Sequence, residues 1–300
     1  MFEIPSELVT TVLRSRGEVG RRWIATVPKR VTASLERWSL ELDGSPMHGG
    51  LSFVIPVRRG DERFVLKLVQ SASESRSVAL ALQTWNGNGA VRLIDADPSQ
   101  HALLLERLDE TSTTSGLPMF AALNIAGTLL RQLAVPAPKQ LPDLAREAEK
   151  FRATARSRWK MTGSVFPENW LQEAIAIAAQ LGPRAQRLLV HYDLHDGNIL
   201  RDRQQRWIAI DPKVVAGDLE FGVAQLLWRR LDEIHSAAAL DKVLSYLCDV
   251  AGLESSKALH WTRFRCVDYW LWGVSAGLTE DPQRCERMLE WLAPLDLSAA

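Results

Sequence analysis

The chain has 300 residues, 46% hydrophobic and 24% charged, an ordinary balance for a soluble globular protein of one large or two coupled domains. Its 36 Lys and Arg cancel its 36 Asp and Glu, which argues against a dedicated nucleic-acid binder. No apolar run nears the roughly 18 residues of a membrane span, the start Met1-Phe2-Glu3-Ile4-Pro5 is unlike a secretory leader, and Cys248, Cys266 and Cys285 form no Cys-x-x-Cys pair; a cytoplasmic protein with buried thiols and no membrane or nucleic-acid partner is expected.

In chain order, Trp23, Val27, Val31, Leu35 and Trp38 recur at helical spacing and predict an amphipathic helix over 18–40, interrupted near Pro28. After the turn-rich stretch through Gly49-Gly50, strand-like runs over 51–57 and 63–69 flank Arg58-Arg59-Gly60-Asp61 and predict a hairpin. A helix over 71–85 ends at Asn86-Gly87-Asn88-Gly89, and short strands are predicted at 91–94 and 102–105. From about Leu117 the pattern turns helical, with helices predicted over 118–135, 143–160, 168–181, 219–234, 237–251, 256–277 and 282–293. One strand-like island interrupts them, at 188–191, 199–201 and 207–210. The reading is an α+β chain of two parts, a small mixed lobe over 1–108 and a larger, mostly helical lobe over 109–300.

The island carries the chemistry. It reads His191-Tyr192-Asp193-Leu194-His195-Asp196-Gly197-Asn198, then Trp207-Ile208-Ala209-Ile210-Asp211-Pro212-Lys213. If 199–201 and 207–210 pair across the polar turn at 202–205, Asn198 and Asp211 emerge together at the open end of the ribbon. An amide oxygen beside a carboxylate suits Mg²⁺, a hard cation that takes few protein ligands and completes its shell with phosphate oxygens. Asp193, five residues before Asn198, is then placed to accept a hydroxyl proton, and the set matches kinase-type phosphoryl transfer. Such chemistry also calls for a lysine on an N-terminal strand. Lys67 supplies it within Phe64-Val65-Leu66-Lys67-Leu68-Val69, where burial is costly unless an anion is met. Glu74 on the following helix is its expected partner. Standing alone, Lys67 would read as a snorkelling edge lysine, Glu74 as helix-terminus electrostatics and Asp193 as a turn residue. His195 is placed either to reach the transferred phosphoryl group or to fix the loop. Gly49-Gly50 is a candidate for a phosphate-covering loop.

These motifs, with Gly217-Asp218, Gly17-Glu18-Val19-Gly20 and Leu103-Leu104-Leu105-Glu106-Arg107-Leu108, resemble the aminoglycoside phosphotransferase superfamily. More narrowly, they are similar to the streptomycin 6-kinase (aminoglycoside/hydroxyurea antibiotic resistance kinase) family. The resemblance implies a protein-kinase-like two-lobed fold and transfer of phosphate from ATP, with Mg²⁺, to a hydroxyl of a small molecule. By position, Asp193 resembles the catalytic base, Asn198 and Asp211 the metal ligands and Lys67 the phosphate-anchoring lysine. Glu106 and Leu108 resemble the hinge that meets adenine. Glu74, or Val78 one turn on, takes the place of the helix glutamate, and Tyr192 replaces a glycine common in the superfamily. Residues 218–300 carry 8 basic against 13 acidic residues, which agrees with a cationic acceptor such as streptomycin, Asp218 and Glu220 being the nearest candidates. A solvated acidic surface accounts for the same imbalance, and holding the loop after Pro212 is an equal reading of Asp218. Another acceptor (hydroxyurea, a sugar or an amino alcohol) and a nucleotide-binding pseudokinase are the alternatives.

Overall fold

A computed structural model describes residues 2–293. The chain divides into two compact units at Glu110, and the first unit also takes Arg201–Asp211 from within the later sequence. That return is the main departure from the expected division, which left 201–211 in the helical part. Backbone bonding explains it, because Ala209 N–H donates to the Gly89 carbonyl and Val91 N–H to the Ala209 carbonyl. The backbone groups of Ala209 thus find partners at 89–91, whatever their distance in sequence.

The first unit opens with α1 (Ser6–Trp38) and continues through β1 (Glu41–Leu42), β2 (Met47–Gly49), β3 (Ser52–Arg59), β4 (Glu62–Leu68), α2 (Ala72–Trp85), β5 (Leu93–Asp97) and β6 (Ala102–Glu106). The strands pair antiparallel in the order β1-β3-β4-β6-β5, with β2 against β3. The predicted hairpin is β3–β4, and its turn passes through Gly60 at a φ of 58°, a conformation glycine adopts without cost. One face of β4 sends Phe64, Leu66 and Leu68 into a core shared with Leu8, Val12, Trp23, Val27 and Val31 of α1. Alternation along the strand therefore turns Val65 and Lys67 to the opposite face. In α1 the break falls at Gly17, with φ 52° and ψ −128°, while Pro28 stays within helical geometry. Ser71 caps α2 by accepting the Glu74 N–H, and Asn86 ends it in the left-handed region.

The chain continues through β7 (Asp109–Thr113), α3 (Met119–Leu133), α4 (Leu144–Met161), α5 (Glu168–Leu181), β8 (Leu188–His191), β9 (Ile199–Arg201), β10 (Trp207–Ala209), β11 (Val214–Gly217), α6 (Val223–Trp228), α7 (Ala237–Ala251), α8 (Ser255–Ser275) and α9 (Glu280–Leu292). The expected helix over 219–234 resolves into α6 between two short 3₁₀ turns. In the second unit α8 is the central helix, packed against α4, α5, α6, α7 and α9 and buried at residues from Ala258 to Gly273 around its circumference. Its aromatic side chains interlock, Phe264 with Phe151 at 4.7 Å and with Trp261 at 5.3 Å between ring centroids. The tryptophans here are packing residues. Strands β8 and β11 pair antiparallel with His191 opposite Val214, which sets the loop after His191 beside the chain that enters β11.

Candidate active site

In the first unit, Lys67 is 5% exposed and its ammonium forms an ion pair with the Asp211 carboxylate. The strand register places Lys67 between Val54 of β3 and Leu103 of β6, so the lysine is anchored from both sides. Asp211 follows β10 at a φ of 51°, a strained conformation for a residue other than glycine and one that clusters at functional sites. A β-carbon at Gly49 would stand 2.8 Å from Asp211 Oδ2, closer than packing allows. The Gly49 carbonyl accepts the Ser52 hydroxyl at 2.8 Å, which ties down the β2–β3 turn. Gly49 thus allows the close approach of backbone to carboxylate. Glu74 lies exposed in the first turn of α2, whose inward face carries Ser75 and Val78. Glu106 ends β6, where its carboxylate accepts the Arg92 N–H at 2.7 Å. Leu108 is half-buried in the two-residue link to β7.

In the second unit the loop after β8 is held by its own polar groups. The Asp193 N–H donates to His191 Nδ1 at 3.2 Å, and the Asp193 carbonyl accepts the Asn198 side-chain amide at 2.9 Å. That bond fixes which end of the Asn198 amide carries nitrogen and leaves its oxygen directed elsewhere. His195 Nδ1 accepts the Gly197 N–H at 3.1 Å, the geometry of a loop-fixing residue. The Asp193 carboxylate sits 2.8 Å from the Lys213 ammonium. Sequence reasoning passed over Lys213, although its place two residues after Asp211 was in view. Beneath the loop, the Arg265 guanidinium lies 5.0 Å from the Tyr192 ring, 4.9 Å from Phe221 and 5.6 Å from Trp228 and donates to the Tyr192 carbonyl at 3.3 Å. Burial raises the pKa of the Tyr192 hydroxyl; Arg265 and Lys213 oppose that shift, and Asp193 and Asp268 add to it.

Asp218 and Glu220, the expected acceptor carboxylates, both make structural hydrogen bonds. Asp218 is 2% exposed and accepts the Gln186 N–H at 3.0 Å and the Trp261 indole N–H at 2.9 Å. Glu220 is buried and accepts the Glu254 N–H at 3.2 Å. Both carboxylates are buried and join segments of the helical unit.

Among the described residues no group of three or more His, Cys, Asp or Glu converges on a metal position. Asn198 and Asp211 each offer a hard oxygen of the type that magnesium prefers.

A buried strand lysine paired with an aspartate, and a separate loop that presents Asp193 and Asn198, define a protein-kinase-like phosphotransferase. The fold agrees, since the chain superposes on aminoglycoside phosphotransferase APH(4)-Ia in complex with ADP and hygromycin B at a TM-score of 0.60, with 13% identity over 90% of this chain and 98% of that one. The model of the family described as aminoglycoside/hydroxyurea antibiotic resistance kinase matches residues 37–277, and the chain belongs to that family. It is 36% identical to streptomycin 6-kinase of Streptomyces glaucescens over 92% of each chain. It is also 36% identical to hydroxyurea phosphotransferase of Kitasatospora aureofaciens, over 95% of this chain and 84% of that relative.

Proposed function

We propose that the protein transfers phosphate from ATP to a hydroxyl of streptomycin or a related aminocyclitol antibiotic. The observation that carries this reading is the Asp193–Asn198 loop, ordered by its own hydrogen bonds, in a chain that matches streptomycin 6-kinase over nearly its whole length. Asp193 accepts the proton of the acceptor hydroxyl and orients its oxygen toward the γ-phosphorus. Lys67 binds phosphate oxygens, and its pairing with Asp211 holds the ammonium ready for them. Asn198 and Asp211 are the residues that would hold Mg²⁺, which when bound neutralises the charge of the phosphates. Glu106 and Leu108 flank the backbone that meets adenine. His195 serves by fixing the loop that carries Asp193. The excess of acid over base in residues 218–300 favours a cationic acceptor through its field rather than through Asp218 or Glu220.

Mg-ATP turnover with purified protein tests this reading. ADP release should depend on streptomycin, and Asp193→Ala should lower it by roughly 10²–10⁴-fold, the range for loss of a general base. Turnover that hydroxyurea supports and streptomycin does not would move the acceptor assignment to the second relative's chemistry. Turnover unchanged in Asp193→Ala would remove the base assignment.

A further inference from the structure

The kinase reading above leaves Lys213 without a task, yet this residue touches the proposed base. Its placement follows from the backbone. Strand β11 begins one residue later, with Val214 to Gly217 all buried against β8. The Tyr192 N–H donates to the Lys213 carbonyl at 3.0 Å, which locks the register at the point where the catalytic loop departs. Buried Pro212 precedes it, with φ fixed by its ring. Alternation then turns the Lys213 side chain away from the core that takes Val214. The ammonium stands 2.8 Å from Asp193 Oδ2, with 55% of the lysine side chain exposed against 17% for the aspartate.

A lysine so exposed adds little to stability by pairing with one carboxylate, so the contact can be exchanged at small cost. Phosphoryl transfer supplies the competing anion. Asp193 and the transferred phosphoryl group must both approach one acceptor oxygen, and their negative charges repel across that short gap. A cation on a flexible stem beside the base is placed to offset this repulsion.

We propose that Lys213 is a catalytic residue, an inference that rests on the phosphotransferase reading of Asp193. Its ammonium bridges the carboxylate and the phosphoryl oxygens while the bond from phosphorus to the nucleotide's bridging oxygen breaks. The bond from phosphorus to the acceptor oxygen forms, the acceptor proton passes to Asp193, and ADP leaves with the electron pair of the broken bond.

The test uses the full chain with Lys213→Met and Lys213→Arg, each checked for an unchanged thermal unfolding midpoint. Lys213→Met should lower kcat with Mg-ATP and streptomycin by about 10²-fold, the scale for loss of one charge-stabilising donor, and should leave KM for ATP within about threefold. Lys213→Arg should recover at least about tenfold of that loss, because it restores the charge. Independently of any acceptor, Mg-ADP with aluminium fluoride, which mimics the phosphoryl group in flight, should bind wild type more tightly than Mg-ADP alone. Lys213→Met should lose that gain and keep its affinity for Mg-ADP. The proposal fails if Lys213→Met keeps kcat within about threefold of wild type. It fails equally if kcat drops while the aluminium fluoride complex binds as tightly as in wild type, since Lys213 would then act only by holding Asp193. A wild type inactive on streptomycin would overturn the antibiotic assignment, and the aluminium fluoride comparison would still decide the role of Lys213.

Discussion

Asp218 and Gly49 show how differently single residues are read in sequence and in space. Asp218 stands a short way after the metal-site motif and reads as an acceptor carboxylate, but its oxygens are committed to Gln186 and Trp261 inside the helical unit. Asp218→Ala would leave two buried donors unpartnered and should cost about 3 kcal/mol, measured as a lowered urea midpoint. In protein still folded, KM for the acceptor should be unchanged. Gly49 has the opposite profile. A methyl group there would displace the Asp211 carboxylate from 2.8 Å away, so Gly49→Ala should lower kcat/KM for ATP by up to about 10²-fold, the penalty for a misplaced reacting group. Its unfolding midpoint should stay near that of wild type. Asp193, Asn198, Asp211 and Lys67 were legible as candidates because their spacing matches a chemistry. Lys213 was not, because a lysine two residues from a motif acquires meaning only when β8 and β11 pair.

At the scale of elements, the amphipathic helices were readable from their apolar period, and α3, α4, α5, α7 and α8 begin and end within about two residues of expectation. The errors are physical. Pro28 was expected to interrupt α1, yet the interruption lies at Gly17, where the backbone takes a conformation almost reserved for glycine. An added β-carbon at Gly17 meets nothing within 4 Å, so Gly17→Ala isolates backbone strain and should destabilise the protein by about 1–3 kcal/mol in urea unfolding. Strands β1, β2 and β7 are short or polar and carry no period-2 apolar signal. Strand β11 is buried at each of its four residues, so it lacks alternation too and reads as an apolar connector.

For the molecule as a whole, burial of the thiols makes a pH prediction. Cys248, Cys266 and Cys285 are free and buried, and burial pushes the Cys248 thiol from 9.0 up to about 11. Burial likewise raises Cys285 and the Tyr269 hydroxyl. Above about pH 9 the unfolded chain releases a proton that the folded chain keeps. Stability should therefore be full below that point and fall as pH rises toward 11, read as a declining urea midpoint, and Cys248→Ala should flatten the decline. The native protein should also react slowly with a thiol reagent near neutral pH, and the urea-unfolded protein quickly.

The sequence by itself determined the two-part α+β organisation and the helical periods, and it singled out four candidate residues for phosphoryl transfer, because periodicity and motif spacing are local properties of a chain. Only the tertiary structure decided that residues 201–211 return to the first unit, that Asp218 and Glu220 are buried structural carboxylates and that Lys213 reaches Asp193. Those outcomes depend on which backbone groups find partners across long separations and on which side chains lose their water, and neither is written in any one segment.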